Sequence, residues 1–143
     1  MKIAIIGSRG FNDYPLLCKL MKKIKSPISE IVSGGARGAD SLGARYAKEN
    51  DIPLKVFEAQ WDDIEAEGAL VKQNRQGNLY NSLAGFWRNK DIVDRAEMVV
   101  AFWDEKSKGT ENSVQRARAK KKPLVIVNFD KKKLKKENIK GEI

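Results

Sequence analysis

The residues that point most directly to chemistry are glycines and an arginine in one segment, SGGARGAD, at residues 33–40. Gly34, Gly35 and Gly38 lack the Cβ atom that would block positive φ angles or close approach, so backbone N–H groups can turn toward a bound anion. Arg37 adds a planar, permanently charged group that suits phosphate. We therefore interpret this segment as an anion-binding loop.

Two further loops of this kind follow other apolar runs. One reads GSRG at residues 7–10 and the other reads SKGT at residues 107–110. Each lies between a predicted strand and a predicted helix, where unpaired N–H groups and the positive end of the helix dipole favour phosphate. The first two loops do not fit the dinucleotide fingerprint, and none of the three fits the P-loop. The predicted ligand-binding residues of the loops are Gly7, Ser8, Arg9, Gly34, Gly35, Ala36, Arg37, Gly38, Asp40, Ser107, Gly109 and Thr110.

The charged residues near these loops each have two interpretations. Arg9 and Arg37 either bind the anion or form ion pairs with Asp13 or Asp40. Asp40 either orients a ribose hydroxyl or caps a helix. Asp104, just after a predicted strand, either faces the ligand or forms a turn. We include Asp104 among the predicted ligand-binding residues.

The composition excludes several kinds of site. The chain has 143 residues, no histidine and a single cysteine, Cys18, which excludes His-dependent triads, His-containing zinc sites and an internal disulfide. We predict no metal and no cofactor, so any catalysis would depend on carboxylates, arginines, backbone dipoles and water. No apolar run is long enough for a membrane span or a signal peptide, and we expect a cytoplasmic protein with no membrane partner.

Short apolar runs alternate with segments of helical periodicity, which predicts an α/β domain with a parallel sheet. The predicted strands are residues 3–6, 30–33, 54–57, 98–103 and 124–127. The predicted helices are one capped by Asp13 with Pro15 in its first turn, and residues 39–50, 87–95 and 110–121. Ligands of such sheets bind beyond the carboxyl ends of the strands, where all three loops are expected.

Two segments do not fit this alternation. Residues 61–84 make an unusually long connection, which is either a lid with hydrogen-bonding amides or a surface insertion. Residues 116–143 hold 11 Lys and Arg against 3 acidic residues, or +8 of the net charge of +9. We divide the chain into a domain at 1–128 and a basic tail at 129–143, and favour a solvated, poorly ordered tail over one that binds nucleic acid.

The three tryptophans also allow two interpretations. Trp61, Trp87 and Trp103 either pack in the core or stack on a nucleobase. Packing is the default for large aromatic side chains, and we favour it here.

Four motifs occur in a fixed order. They read GSRGF at residues 7–11, SGGARGAD at 33–40, AGFWRN at 84–89 and AFWDEKSKGT at 101–110. In these motifs the chain resembles the SLOG superfamily of Rossmann-like nucleotide-binding domains, and specifically its YspA/YpsA-related branch. The resemblance implies a strand order of 3-2-1-4-5 and a nucleotide or nucleotide-derived ligand, such as ADP-ribose, over the loops after strands one, two and four.

The resemblance also bears on catalysis. The sister LOG family cleaves the N-glycosidic bond of nucleoside monophosphates with an arginine and a P-G-G-x-G-T-x-x-E loop. Gly109 and Thr110 match the G-T of that loop, and Arg88 is the counterpart of the arginine. Ser113 occupies the glutamate position, and Glu111 lies two residues earlier, about 200° around a helix. We therefore predict ligand binding by a sensor or sequestering module, with a hydrolase using Arg88 and Glu111 as the alternative.

The same resemblance implies further partners. Asn89, in the third motif, joins Arg88 among the predicted ligand-binding residues. LOG proteins are dimers, so a homodimer with its contact around Phe86 and Trp87 is expected. DNA-processing proteins of the superfamily carry a similar glycine-arginine-glycine loop, which makes single-stranded nucleic acid, bound by the basic tail, a third alternative. An origin in a phage or mobile element also fits this branch.

Overall fold

The structure is a computed structural model that describes residues 1–139, so residues 140–143 of the predicted tail lie outside it. Eight strands and four helices are present in the described part of the chain. The strands are β1 (Lys2–Gly7), β2 (Glu30–Ser33), β3 (Leu54–Val56), β4 (Val71–Gln73), β5 (Leu79–Asn81), β6 (Met98–Trp103), β7 (Leu124–Asn128) and β8 (Lys133–Glu137). The helices are α1 (Tyr14–Lys22), α2 (Ala39–Glu49), α3 (Ala84–Arg95) and α4 (Lys108–Ala119).

The main sheet has six strands in the order β3-β2-β1-β6-β7-β8. All neighbours in it pair in parallel except β7 and β8, which are antiparallel. The α/β class and the order of the five predicted strands are therefore confirmed, with β8 added at one edge.

Helices cover both faces of the sheet, because side chains along each strand alternate between the faces. Ile3 and Ile5 of β1 pack in one cluster with residues of α1 and α2. Ala4 and Ile6 pack in the other with residues of α3 and α4. Strands that are buried on both faces have continuous apolar sequences, which is why β1, β2, β6 and β7 could be recognised, whereas β3 is an exposed edge strand.

The expectation of a poorly ordered tail is wrong for residues 133–137, which form β8. This strand pairs with β7 along its whole length. Its last residue, Glu137, accepts hydrogen bonds of 2.8–3.2 Å from the guanidinium group of Arg118 on α4. These bonds hold the pKa of Glu137 below its usual range. The exposed lysines of β8 suit an edge strand, because charged side chains discourage further strand pairing.

The long connection contains an antiparallel hairpin, β4 and β5, which forms a separate two-stranded sheet. Asn74 stabilises its turn by accepting hydrogen bonds at Oδ1 from the backbone N–H groups of Gln76 and Asn78. Helix α3 begins directly after the hairpin, three residues earlier than the predicted start at residue 87. Two other helix starts agree closely with prediction: Asp13 caps α1 by accepting from Leu16 N, and α2 begins at residue 39.

Gly43 provides a test of how closely α2 packs on the sheet. A Cβ atom at this position would lie 2.9 Å from both Cβ and Cγ2 of Ile5. Overpacking of this kind typically costs 1–3 kcal/mol, which exceeds the roughly 1 kcal/mol that alanine gains over glycine in a helix. We expect Gly43→Ala to lower the free energy of unfolding by about 1–2 kcal/mol, measured by urea denaturation.

Gly109 is the matched control, because a Cβ atom there would meet nothing within 4 Å. Gly109→Ala should leave the free energy of unfolding unchanged or raise it by up to about 1 kcal/mol. Equal stabilities for the Gly43→Ala variant and the wild type would contradict the close packing of α2.

Candidate functional site

The loops after β1, β2 and β6 meet at the carboxyl edge of the parallel strands, where the N-termini of helices also point. They enclose a cavity of about 370 Å³, which we call the first lobe. It is lined by Ile6, Gly7, Ser8, Arg9, Gly10, Ala36, Asp40, Arg88, Asn89, Ile92, Asp104, Ser107, Gly109, Thr110 and Ser113. Eleven of the predicted site residues are among them.

A second cavity of about 380 Å³, the second lobe, adjoins the first. The two lobes share Arg9, Ala36 and Arg88 as lining residues. The second lobe is completed by Gly34, Gly35, Arg37, Glu58, Ala59 and Trp61. The lobes are therefore neighbouring cavities with two arginines at their boundary.

Two glycines allow the three loops to come together. A Cβ atom on Gly38, whose φ is +74°, would lie 2.3 Å from the carbonyl oxygen of Ser8. A Cβ atom on Gly7 would lie 2.1 Å from the carbonyl oxygen of Phe102. Gly38 lines neither lobe, so in this structure it brings the loops into contact and does not face the cavity.

Ser8 connects the loops through hydrogen bonds. Its carbonyl oxygen accepts from the backbone N–H of Phe11 at 3.1 Å and from that of Ala39 at 3.3 Å. Its Oγ accepts from the backbone N–H of Asp104 at 3.1 Å. One buried serine thus connects the loop after β1 to the end of the loop after β2 and to the start of the loop after β6.

Asp104 forms the turn before α4. Its Oδ1 accepts 2.8 Å hydrogen bonds from the backbone N–H groups of Lys106 and Ser107. Although partial burial acts to raise it, these bonds together with Ser8 hold the pKa of Asp104 below its usual range. The residue also lines the first lobe, so both of its interpretations fit the structure.

Arg88 is held in a fixed position between the lobes. Its Nη1 donates to the carbonyl oxygen of Gly34 at 2.6 Å, and its Nε donates to Oδ1 of Asn89 at 3.0 Å. Asn89 in turn donates from Nδ2 to the carbonyl oxygen of Gly109 at 3.2 Å. Burial lowers the pKa of Arg88, but a guanidinium group keeps its proton in proteins.

Asp40 is the one acidic residue that is buried in the described part of the chain, with 7% of its surface exposed. Its Oδ2 accepts a 3.3 Å hydrogen bond from the backbone N–H of Ala36, which precedes the helix, and so does not cap α2. Burial raises the pKa of Asp40 to about 6, against the opposing effects of the Ala36 N–H, Arg88 and Arg9. The first lobe therefore holds a carboxyl group that titrates near neutral pH.

Arg9 and Arg37 are exposed, and neither forms a hydrogen bond or ion pair with any residue in the range 1–139. The alternative pairs with Asp13 and Asp40 are not formed. Arg9 lines both lobes and Arg37 lines the second. Two guanidinium groups thus face the cavities with all their donors available to a ligand.

Glu111 lies outside both lobes, on the exposed side of α4. Ser113, which occupies the glutamate position of the LOG motif, lines the first lobe and is buried. This is the expected result of a separation of two residues, which places side chains on different sides of a helix.

Two tryptophans are more exposed than expected. Trp61 and Trp87 expose 42% and 37% of their surfaces, so the prediction that they pack in the core is wrong. Trp103 is half-buried and donates from Nε1 to the carbonyl oxygen of Ser107 at 3.1 Å. Phe86, the other residue of the predicted dimer contact, is 44% exposed.

Glu58 was not among the predicted site residues, and for Trp61 base stacking was the less favoured of two interpretations. They follow β3, whose carboxyl end lies at the same edge of the sheet as those of β1 and β2. Glycine-rich turns were used as the signal, and the loop after β3 has none. Its position after the third parallel strand was the available indication.

Within residues 1–139 no group of three or more cysteine or acidic side chains is placed to hold a metal ion. None of the helices in that range is long and apolar enough to span a membrane.

Comparisons with known proteins agree with the fold and the motifs. Residues 1–63 match the model of a family described as YAcAr, the YspA, cpYpsA-related SLOG family. The fold is similar to the X-ray structure of DNA processing protein A from Streptococcus pneumoniae, with a TM-score of 0.65 and 18% sequence identity. That likeness covers 88% of this chain and 50% of the other, so the chain spans about half of that protein's length. No match was found among curated proteins. Over residues 1–63 the chain is thus similar to the YspA, cpYpsA-related SLOG family, and its fold is Rossmann-like.

Proposed function

We propose that this protein binds a nucleotide or nucleotide-derived ligand and acts as a sensor or sequestering module. The observation that carries the proposal is the meeting of three loops on one cavity that Arg9 lines with its guanidinium group unpaired among the described residues. Helix N-termini and unpaired guanidinium groups together favour phosphate. In this proposal the phosphate lies in the first lobe.

The electrostatics of the first lobe support an anionic ligand. Arg88 lies near both Asp40 and Arg9, so two cations and one carboxyl group act on the same space. The carboxyl group is neutral for part of the time near neutral pH, because its pKa is about 6. A phosphate would supply negative charge that balances the two arginines.

Binding can be tested with the purified chain in a thermal-shift panel of AMP, ADP-ribose, NAD and cyclic nucleotides, followed by calorimetry. A ligand at a hundred times its Kd should add about 2.7 kcal/mol to the free energy of unfolding. Loss of a charge-assisted hydrogen bond costs about 1.5–3 kcal/mol, so Arg9→Ala should weaken binding by about ten- to a hundredfold.

Arg45→Ala is the control for that variant. Arg45 is an exposed arginine of α2 that pairs with Glu49 and lines neither lobe. The Arg45→Ala variant should bind the same ligand as tightly as the wild type does. Equal losses in the two variants, or no ligand in the panel at all, would contradict the proposal.

Asp40 gives a second prediction, on stability. Its pKa is about 6 in the folded chain against 3.8 for a free side chain. At pH values between these two, the folded state therefore binds more protons than the unfolded state does. Stability should therefore fall as the pH rises from about 4 to 6, by about 3 kcal/mol in total. Asp40→Asn removes the charge and can still accept from Ala36 N, so it should be more stable than the wild type at pH 7.

The measurement is urea denaturation of the wild type and Asp40→Asn at about pH 3, 5 and 7. The difference in the free energy of unfolding between the two proteins should nearly vanish at the lowest pH, because Asp40 is protonated there in both the folded and the unfolded state. A difference that does not change with pH would show that Asp40 is not the titrating group.

A second candidate function is hydrolysis of the N-glycosidic bond of nucleoside monophosphates. The observation that favours it is Asp40, a buried carboxyl group in the same lobe as Arg88 and Thr110. As a carboxylate Asp40 would take a proton from the water whose oxygen bonds to the sugar carbon, while the base leaves with the electrons of the broken C–N bond and is then protonated by Asp40 or by solvent. Glu111 would have no part, because it lies outside the lobe.

The hydrolase can be tested by following the release of free base and ribose phosphate. Asp40→Asn and Arg88→Ala should each lower the rate at least a hundredfold, and Glu111→Gln should have no effect. Equal traces for the wild type and Asp40→Asn would exclude this candidate.

A third candidate is binding of single-stranded nucleic acid by the basic edge of the sheet. The observation that favours it is a run of exposed lysines, Lys131, Lys132, Lys133, Lys135 and Lys136, in and before β8. Such binding would weaken steeply with salt.

A further inference from the structure

The two lobes are arranged like the two ends of a nucleotide. The first is surrounded by backbone N–H groups and helix N-termini, and the second has an aromatic ring and a carboxylate on its wall. Arg9, Ala36 and Arg88 lie between them. A ligand with its phosphate in the first lobe would have to pass these residues to reach the second.

Trp61 is held in place at the second lobe while part of its ring stays exposed. Its backbone carbonyl accepts a 2.7 Å hydrogen bond from the N–H of Asn81. Its ring lies against Gly85, where a Cβ atom would be 2.9 Å from Cη2, and meets the Tyr80 ring edge-on at 6.5 Å. The remaining 42% of the residue's surface is open to solvent. A fixed and partly open indole is suited to stack on a planar base.

Glu58 supplies hydrogen-bond acceptors beside this ring. Its carboxylate forms no hydrogen bond or ion pair with any other residue in the described range. Glu58 also lines an adjoining cavity of about 150 Å³ together with Asn81. The Nδ2 of Asn81 is buried without an acceptor among the described residues, while its Oδ1 accepts from Leu83 N.

We propose that the second lobe binds the base of the nucleotide, and that Trp61 and Glu58 select a purine that carries an amino group, guanine before adenine. This proposal rests on the proposed function, because it takes the phosphate to lie in the first lobe. Trp61 stacks on the base, and Glu58 accepts hydrogen bonds from the N–H groups of the base.

The preference follows from the donors that each base offers. A carboxylate only accepts hydrogen bonds, and it has two oxygens. Guanine presents a ring N–H next to an amino group, which match both oxygens, and its carbonyl oxygen lies beside them. Adenine presents the amino group alone. Uracil presents one N–H between two carbonyl oxygens, which repel a carboxylate.

The experiment is calorimetry of the full chain with GMP, AMP, UMP and ribose 5-phosphate, which all carry one phosphate. GMP should bind at least tenfold more tightly than UMP, with AMP between them and UMP close to ribose 5-phosphate. Trp61→Ala should weaken GMP binding about tenfold, which is about 1.4 kcal/mol. Trp61→Phe keeps an aromatic face and should retain most of the affinity.

Glu58→Ala is the second variant, because its exposed carboxylate contacts no other described side chain and its loss should not affect folding. It should bring the affinity for GMP to within about threefold of that for UMP. Neither Trp61→Ala nor Glu58→Ala should change the affinity for ribose 5-phosphate, which does not reach the second lobe. Thermal unfolding without ligand checks that each variant is folded.

Equal affinities for the three nucleotides and ribose 5-phosphate would overturn this inference and leave the phosphate site intact. Tighter binding of GDP than GMP, with no effect of the base, would also overturn it and assign the second lobe to a second phosphate near Arg37. If ribose 5-phosphate and all the nucleotides fail to bind, the proposed function fails and this inference fails with it.

Discussion

The site depends on how closely the loop after β1 packs against its two neighbours. Gly38 sets one of these distances, because any side chain there would meet the carbonyl oxygen of Ser8. Gly7 sets the other against the carbonyl oxygen of Phe102 in β6. With both contacts made, Ser8 can accept hydrogen bonds from the other two loops. The loops can enclose the cavity because these two positions carry no side chain. Both glycines therefore act by allowing close packing, whatever they contribute to binding.

Bringing the loops together has an electrostatic consequence. Asp40 lies at the start of α2, and the contact between the loops removes its carboxyl group from water. The carboxyl receives a single hydrogen bond from Ala36 in return, with Arg88 and Arg9 acting at longer range. Burial of a charge with incomplete compensation lowers stability. Natural proteins keep such groups mostly at functional sites, which is the reason to assign Asp40 to the ligand or to a reaction.

The sequence was sufficient to predict the parts of the fold and site that depend on local patterns. Four strands were recognised because they are buried and continuously apolar, and β3, although exposed, because Leu54, Val56 and Phe57 follow Pro53 as a short apolar run. Three loops were recognised because each contains glycine after an apolar run. β8 was missed because Leu134 is its one apolar residue, and the hairpin because its short, mostly exposed strands lie among polar residues. Glu58 and Trp61 could not be identified from local pattern, because their role arises from the neighbouring position of β3 in the sheet.

The two arginines between the lobes differ in whether hydrogen bonds within the protein hold their side chains in place. Arg88 is fixed to Gly34 and Asn89, so a ligand that contacts it orders little that was mobile before. Arg9 has no such partner, and ordering its side chain on a ligand costs entropy. The orientation of a ligand would therefore depend on the groups that are held in place, which are Arg88, Gly34 and the Trp61 ring. The unpaired guanidinium group of Arg9 would attract an anionic ligand without fixing its orientation. If the site binds a nucleotide as proposed, the second lobe, with its rigid ring, would discriminate between ligands and the first would hold the phosphate.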